Sequence, residues 1–259
     1  MSLSADRLGF IVQARIESTR LPQKVILPLI NGNSILDFIL KRLKNISGSI
    51  PVILATGDCE RNILLKEVAE KHDISFFCGS ENDVLKRFID CAKQYGLDKV
   101  VRICADNPFL DIGLLYNLVS DYKDSNYDYV GFGFGEMPAI LSHFGFFAEL
   151  VSVKAMVKAH KLTTLGPDIE HVTKYIYSNK DVFAVKLVEV PEDIKNQQNV
   201  RLTVDSRADF DNAVTIINEL RREGYGFEYS YKDVLAAVKG LGSGLIKNMK
   251  SQIIENSKI

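Results

Sequence analysis

The sequence predicts an α/β fold built on a parallel, doubly wound sheet with helices on both faces. Strand and helix patterns alternate five times in about the first 130 residues, which is typical of repeated βα units. The strands read as continuous apolar runs such as PVILAT (51–56), as expected for a sheet covered on both faces. The 259 residues suffice for one large domain, or for one domain with a small appendage. The pattern leaves the order of the strands open.

Local signals assign the individual elements along the chain. Ser34 is the predicted N-cap of the first helix, and Asp111 caps a later one. Gly96 and Gly224 mark helix ends. The predicted strands are 10–12, 51–56, 74–79, 99–106, 127–133, 183–190 and 200–206. The predicted helices are 35–45, 58 or 60 to 71, 81–96, one beginning at 111, 154–161, 167–179, 207–224 and 232–239, before a polar tail.

The regular alternation stops after Gly135. Residues 137–153 are apolar but irregular, and we expect an extended segment that crosses the mouth of a site at the sheet edge. There is no internal repeat and no low-complexity linker. The sequence therefore predicts a single domain over 1–259, with an inserted arm near 136–195.

Composition limits the classes of partner. The 32 basic and 33 acidic residues give a formal net charge of −1, whereas a general nucleic-acid or acidic-membrane binder is usually basic. No apolar run reaches the ~18 residues of a transmembrane helix. The first residues, MSLSADR, are polar and acidic, unlike a signal peptide. We expect a cytoplasmic protein with no nucleic acid and no membrane as partner, in which any anion site is local.

The cysteines predict no covalent framework. Cys59, Cys78, Cys91 and Cys104 show no CxxC spacing and fall in predicted helices and strands. We therefore expect free, buried thiols rather than disulfides or a zinc site.

The strongest functional signal is the polar loop after the first strand. The segment FIVQARIESTRLPQK (10–24) leaves an apolar strand and enters a loop with three cations and two hydroxyls. Open α/β folds bind ligands at this edge of the sheet, and converging Arg, Lys and backbone N–H donors suit a nucleoside triphosphate. The alternative is a solvated basic loop. Neither GxxxxGK[ST] nor GxGxxG is present. The candidate ligands are Gln13, Ala14, Arg15, Ser18, Thr19, Arg20 and Lys24.

Two acids end predicted strands in the same manner. Asp106 closes an apolar strand in ICADNPFLD, and Asp205 does so in RLTVDS. Acids at the carboxyl ends of strands are placed to hold Mg²⁺ against phosphates. Capping or turn formation is the alternative for each, although Ser206 can cap the helix after Asp205. Two such acids suggest one shared Mg²⁺ site.

Weaker candidates lie in the other loops. Residues after the second and third strands could hold the base and ribose, with capping as an equal alternative: Thr56, Asp58, Gly79, Asp83 and Arg87. In the arm, Glu149 has an apolar context in which an unpaired carboxylate would be costly. Glu170 and His171 begin a predicted helix. These three could contact an acceptor substrate, although a lone histidine is more often structural.

At these positions the sequence resembles a known family. QARIESTRLPQKVILPL is similar to the QARxxSTRLPxKxLxPL signature of the cytidylyltransferase superfamily, which includes acylneuraminate and 3-deoxy-manno-octulosonate cytidylyltransferases. The resemblance is closest to the branch of spore coat polysaccharide biosynthesis protein F, and it covers about residues 9–222. Supporting matches follow in order: ATGD (55–58), GSENDVLKRF (79–88), VRICADNPFLD (101–111), EHVTKYI (170–176) and RLTVDSRADF (201–210).

The resemblance implies a Rossmann-like nucleotidyltransferase fold, with three α/β/α layers and a mainly parallel mixed sheet, and a homodimer. It implies that CTP or another NTP activates a sugar acid or sugar phosphate for polysaccharide or glycoconjugate biosynthesis, releasing pyrophosphate. Carried over by position, the 15–24 loop would hold the triphosphate, and Asp106 and Asp205 would hold Mg²⁺. Arg15, Lys24 and Asp106 would be catalytic.

The chain departs from that branch at several positions. Glu17 and Gln23 stand where the branch usually has glycine, and the usual GDCP reads Ala105 to Pro108, ADNP. The segment HFGFFAELVS (143–152) keeps only Gly145 and Glu149 of a G-x-x-x-E-V pattern. Two other hypotheses remain. A glycosyltransferase of similar fold would usually carry Asp-x-Asp, whereas Asn107-Pro108 follows Asp106. A non-catalytic nucleotide sensor would not need both acids.

Overall fold

A computed structural model describes residues 7–256 of the chain. Residues 1–6 and 257–259 lie outside this range. The first six form most of the segment from which the lack of a signal peptide was predicted. The strands are β1 (Leu8–Gln13), β2 (Pro28–Ile30), β3 (Asn33–Ser34), β4 (Val52–Thr56), β5 (Ser75–Cys78), β6 (Lys99–Cys104), β7 (Tyr129–Phe134), β8 (Met137–Pro138), β9 (Glu149–Ser152) and β10 (Val185–Glu189). The helices are α1 (Ile35–Ser47), α2 (Ile63–Lys71), α3 (Val84–Gln94), α4 (Ile112–Tyr122), α5 (Val153–Leu162), α6 (Gly166–Glu170), α7 (Lys174–Ser178), α8 (Glu192–Lys195), α9 (Arg207–Arg222), α10 (Tyr231–Gly240) and α11 (Ser243–Asn256), with a 3₁₀ turn at Ala139–Leu141.

The main sheet is mixed and mainly parallel. Its strand order is β10-β7-β9-β6-β1-β4-β5. The two-residue strand β8 pairs with the carboxyl end of β7. β1 lies between β4 and β6 and is parallel to both, so the loop after β1 emerges at the middle of the sheet's carboxyl edge. β9 is antiparallel to both of its neighbours, β6 and β7. The predicted α/β class with a mainly parallel mixed sheet is confirmed.

Helices cover the sheet on both faces, giving three layers. Along β1, Phe10 and Val12 point into one core and Ile11 into the other, which explains why the strand is apolar without alternation. The first core packs against α1, α2, α4, α9, α10 and α11, and the second against α3, α5 and α7. From residue 7 to 256, every helix is too short or too polar to cross a membrane.

The helix caps follow the predicted chemistry. Ser34 begins α1 with a capping box in which Asp37 accepts a hydrogen bond from the Ser34 backbone N–H. Asp111 accepts a hydrogen bond from the N–H of Leu114 and begins α4. Ser206, rather than Asp205, is the N-cap of α9. Asp205 is therefore not needed as a cap.

The segment 136–195 differs most from its prediction. Instead of staying outside the sheet, residues 149–152 form β9 in its interior. The predicted strand 183–190 is confirmed as β10, which pairs with β7. A short strand with a glutamate at its start gives little signal, because burial of Glu149 depends on partners far away in sequence. The predicted helix 167–179 is divided into α6 and α7 by Val172, whose φ of 48° is not helical.

Three other predicted elements were wrong. Residues 200–206 are extended but belong to no strand, because the N–H groups of Leu202 and Val204 bond to loop carbonyls at His143 and Asp106. Residues 58–62 form a turn, so α2 begins at Ile63. The expected polar tail forms α11, which buries Met249 against the first core.

The prediction of free thiols was wrong for two of the four cysteines. Cys59 and Cys78 are joined by a disulfide, whereas Cys91 and Cys104 are free. Cys59 lies just after β4 and Cys78 ends β5, and these neighbouring parallel strands bring the two Cα atoms to 5.8 Å. Strand pairing, rather than a local motif, creates the bridge.

Candidate active site

A cavity of about 640 Å³ opens at the carboxyl edge of the sheet. Its walls come from the 15–24 loop, the ends of β1 and β6, the loop around Asp205, and the segment 139–177. Most of the predicted site residues line it together: Gln13, Ala14, Arg15, Ser18, Thr19, Arg20, Lys24, Arg87, Asp106, Glu170, His171 and Asp205. The location of the cavity was therefore predictable from the sequence.

The 15–24 loop is held by buried apolar residues while its cations face the cavity. Ile16, Leu21 and Val25 are all less than a tenth exposed. The carbonyl of Ile16 accepts a hydrogen bond from the N–H of Gln23 at 2.9 Å, which closes the loop. Gln23 has a φ of 60°, the left-handed conformation that glycine adopts most easily. This geometry explains why a glycine suits this position, and it directs the next residue, Lys24, inward.

Lys24 lies between the two predicted metal-binding acids. Its Nζ atom is 3.2 Å from Oδ2 of Asp106, 3.2 Å from Oδ1 of Asp205 and 2.7 Å from the carbonyl oxygen of Val204. Arg20 is 3.3 Å from the same Asp205 oxygen. Burial would raise the pKa of Asp205, but the charges of Lys24 and Arg20 lower it overall, so the carboxylate is ionised at neutral pH. The loop, Asp106 and Asp205 therefore form one charged cluster.

The two acids fit a magnesium ion that also binds phosphate. Mg²⁺ in phosphate-transfer sites takes one or two carboxylates and completes its shell with phosphate oxygens and water. Oδ2 of Asp106 and Oδ1 of Asp205 are no farther apart than twice 3.2 Å, because both contact one nitrogen. Across residues 7–256, no group of three or more His, Cys, Asp or Glu side chains could hold a metal by itself. The donor set suits a metal that arrives with a triphosphate.

Glu149 was predicted to contact an acceptor, but it lies beneath the cavity. It is 1% exposed and accepts hydrogen bonds from Arg102 at 2.5 Å, Tyr129 at 2.9 Å and Thr173 at 2.7 Å. Burial, and then the nearby charge of Glu149, raise the pKa of Tyr129, which keeps its hydroxyl protonated as a donor. Glu149 thus orients Arg102 and Thr173, which do line the cavity.

A strained turn places the far wall of the cavity. Val172 is fully buried with a φ of 48°, which is a rare conformation for a β-branched residue. The turn aims His171 and Thr173 into the cavity beside Lys174. Burial lowers the pKa of His171, so its imidazole is neutral at pH 7. This wall offers a neutral histidine, a hydroxyl and an ammonium group.

Four predicted nucleotide-binding residues do not line the cavity. Thr56 is fully buried. The Asp58 carboxylate accepts hydrogen bonds from the N–H groups of Glu60 and Arg61 within its own turn. Gly79 lacks room for a Cβ atom, which would lie 2.8 Å from Cγ of Arg87. Asp83 is the N-cap of α3 and contacts His160, so the capping alternative is correct there.

Other cavity residues were missed by sequence reasoning. Arg102 had a usable signal, because it is a cation inside an otherwise apolar strand. Glu81 and His143 carried no comparable signal, since nothing in their neighbourhood distinguishes them from surface residues. The polar cavity residues that were missed include Glu81, Arg102, Asn107, His143, Thr173, Lys174 and Tyr177.

Comparison with known families identifies the relationship. Residues 9–230 match the family described as cytidylyltransferase. This chain belongs to the cytidylyltransferase family. As a member, it is a nucleotidyltransferase, and the match spans the 15–24 loop, Asp106 and Asp205 together.

Individual relatives of this cytidylyltransferase agree with that assignment. It is 37% identical over 200 residues to an uncharacterized protein of Methanocaldococcus jannaschii, covering 77% of this chain and 79% of the other. It is 30% identical over 207 residues to the spore coat polysaccharide biosynthesis protein SpsF of Bacillus subtilis, covering 78% and 82%. The structure of a cytidylyltransferase from Leptospira borgpetersenii aligns with a TM-score of 0.81 at 28% identity, covering 94% and 98%.

The fold extends to more distant enzymes. The CMP:2-keto-3-deoxy-manno-octonic acid synthetase structure, solved in complex with CTP, aligns with a TM-score of 0.61 at 12% identity, covering 82% of this chain and 98% of the other. At that identity the similarity shows the fold alone.

Proposed function

We propose that this cytidylyltransferase uses Mg²⁺ and CTP to activate a sugar acid or sugar phosphate, releasing pyrophosphate, for surface polysaccharide or glycoconjugate biosynthesis. The observation that carries the proposal is the cluster in which Lys24 joins the cationic 15–24 loop to Asp106 and Asp205. A triphosphate needs cations, and a bound metal needs acids, within one small volume. Family membership supports the nucleotide, and the name of the Bacillus relative supports the pathway.

The chemistry proposed is an in-line displacement at the α-phosphorus. An oxygen of the acceptor, which if it is a hydroxyl gives up its proton to solvent, forms a bond to the α-phosphorus. The bond from the α-phosphorus to the bridging oxygen of the β-phosphate breaks, and pyrophosphate carries away that electron pair. Lys24 and Arg15 neutralise the charge that develops on pyrophosphate. Asp106 and Asp205 would hold Mg²⁺, which when bound supplies charge neutralisation at the phosphates. Most of the rate enhancement then comes from positioning and electrostatics.

The acceptor is proposed to lie against the wall around His171. Arg102 and Lys174 offer hydrogen-bond donors there, and neutral His171 can donate or accept. Such donors suit the carboxylate or phosphate of a sugar derivative. The proposal also includes a cytoplasmic location, where CTP is made. The chain would form a single domain over 1–259, with a homodimer contact near 136–195.

A pyrophosphate-release screen tests this function. Four NTPs are combined with sugar acids, sugar phosphates and other phosphorylated metabolites, with and without Mg²⁺. We expect release with CTP and one acceptor class, and none without metal. Release of the free nucleotide from a nucleotide-sugar, with no pyrophosphate from any NTP, would support a glycosyltransferase. CTP binding with no product under any combination would support a sensor.

Variants of the 15–24 loop connect that activity to the site. Arg15→Ala or Lys24→Ala removes a charge-assisted contact worth roughly 1.5–3 kcal/mol, so CTP affinity or rate falls by about one to two decades. Arg222→Ala, at an exposed arginine outside the cavity, is the matched control and keeps both. Unchanged CTP affinity and turnover in folded Arg15 and Lys24 variants contradict the proposed triphosphate site.

A further inference from the structure

The turn between β4 and α2 (residues 57–62) supports the 15–24 loop from outside the cavity. Asn62, at the end of this turn, is 3% exposed. Its Oδ1 atom accepts a hydrogen bond from the backbone N–H of Ile16 at 2.8 Å. Its Nδ2 atom donates to the carbonyl of Asp58 at 2.7 Å. One buried carboxamide therefore joins the turn to the start of the loop.

Asn62 does not perform the local role expected at its position. It stands at the N-cap of α2, where asparagine usually accepts a hydrogen bond from an N–H group of the first helical turn. Here the side chain makes no capping bond. The helix forgoes its usual capping contact, and the carboxamide bonds across 46 residues of sequence instead. A departure from a local rule of this kind points to a functional constraint.

The contact reaches the cations of the loop through Ile16. The N–H of Ile16 is fixed by Asn62, and its carbonyl is fixed by the N–H of Gln23. Gln23 in turn directs Lys24 toward Asp106 and Asp205. A second link, Arg61 to Glu17 at 3.6 Å, is exposed and contributes little. The turn itself is anchored to β5 by the Cys59–Cys78 disulfide.

We propose that Asn62 is a positioning residue for triphosphate binding. It touches neither nucleotide nor acceptor; it holds Ile16 so that Arg15 and Lys24 lie on either side of the phosphate position. The inference rests on the proposed function, because it assigns the triphosphate to the 15–24 loop. Its consequence is selective: the contribution of the β- and γ-phosphates to binding depends on Asn62, whereas binding of the nucleoside monophosphate does not.

Calorimetry with CTP and CMP on the full chain tests this selectivity. In Asn62→Ala the Ile16 N–H loses its partner, and we expect the Kd for CTP to rise about tenfold, equivalent to ~1.4 kcal/mol. The Kd for CMP should change less than twofold. Asn212→Ala is the matched control, since Asn212 is also a buried asparagine that makes two hydrogen bonds. Its partners are the side chains of Gln252 and Asn248, outside the cavity. Asn212→Ala should lower Tm and leave both Kd values unchanged.

A second variant guards against loss of folding. Asn62→Leu keeps a similar volume while removing both hydrogen bonds, and it should weaken CTP binding to the same extent. Unchanged CTP affinity in a folded Asn62 variant, or equal weakening of CTP and CMP, overturns the role of Asn62. A wild-type protein that fails to bind CTP overturns the proposed function instead, so the two failures are distinguishable.

Discussion

Among the individual side chains, Asp106 and Asp205 should act as one unit. Asp→Asn at either position keeps the shape and capping ability but removes a charge. If both hold the metal, each single variant loses on the order of 100-fold in kcat. The reason is that Mg²⁺, which would neutralise the phosphates, loses one of its carboxylate ligands. The double variant is then little worse than either single one, as for groups that work together. The measurement is pyrophosphate release from CTP as a function of Mg²⁺ concentration.

The control for this pair is Asp124→Asn, at an exposed acid in the turn after α4, which lies outside the cavity and should keep its rate. Circular dichroism checks that each variant is folded. Near wild-type rates in both Asp106→Asn and Asp205→Asn would contradict the metal assignment and leave the two acids with a structural role.

Helix α1 predicts an acid-sensitive contribution to stability. Asp37 is 4% exposed and bonds to Ser34, Lys71 and His72. Burial would raise its pKa, but His72, Lys71 and Ser34 lower it well below the ordinary value of 3.8. A depressed pKa means that the stabilisation is present above the unfolded pKa and is lost as pH falls through the folded pKa.

We expect Asp37→Asn to lower the free energy of unfolding by about 2–3 kcal/mol at pH 7, since a buried charged hydrogen-bond acceptor is removed. The difference in the free energy of unfolding between the variant and wild type should shrink below about pH 4, where Asp37 of the unfolded wild-type chain becomes protonated. Urea unfolding at pH 7 and in acid measures both values. A difference that stays constant with pH would refute the link between Asp37 protonation and stability. Asp73→Asn, at an exposed acid in the turn after α2, is the control.

The bridge between the turn after β4 and the end of β5 predicts a redox-dependent stability. Four cysteines are present, of which Cys91 and Cys104 are free, so thiol titration of the denatured protein should find two thiols before reduction and four after. The closed loop has a sequence separation of 19, for which removal of the bridge costs about 3 kcal/mol. Urea unfolding of Cys59→Ser/Cys78→Ser measures this cost, with Cys91→Ser as the control for a buried free thiol. Four titratable thiols without reductant would disprove the bridge.

The assembled molecule predicts a homodimer through the segment 136–195. Four large apolar side chains of this segment are between 48% and 66% exposed: Met137, Leu141, Leu162 and Leu165. A contiguous patch of exposed apolar side chains usually marks an interface, and we expect these four to form such a patch with the partner chain. Sedimentation equilibrium should give about twice the 29.0 kDa of one chain at micromolar concentration. Leu162→Glu/Leu165→Glu should shift it toward the monomer, whereas Ile254→Glu on α11 should not.

The α/β class, the place of the 15–24 loop at the carboxyl edge and the place of Asp106 just after β6 could all be predicted from the sequence. These features are local: an apolar run makes a strand, and the residues that follow it in a parallel sheet reach the carboxyl edge. Arg15, Lys24 and Asp106 could therefore be predicted to line one cavity, whereas Asp205 reaches it from a segment outside the sheet.

The contacts that orient this cluster depend on tertiary packing and could not be predicted. Glu149 was predicted at the acceptor, yet it lies below the cavity because Arg102, 47 residues away, satisfies its buried charge. Asn62 was predicted to be part of a helix, and it instead bonds to Ile16. Cys59 meets Cys78 because β4 pairs with β5. Local propensities act over a few residues, whereas buried polar groups take whichever partner the packing of distant segments places within hydrogen-bond distance.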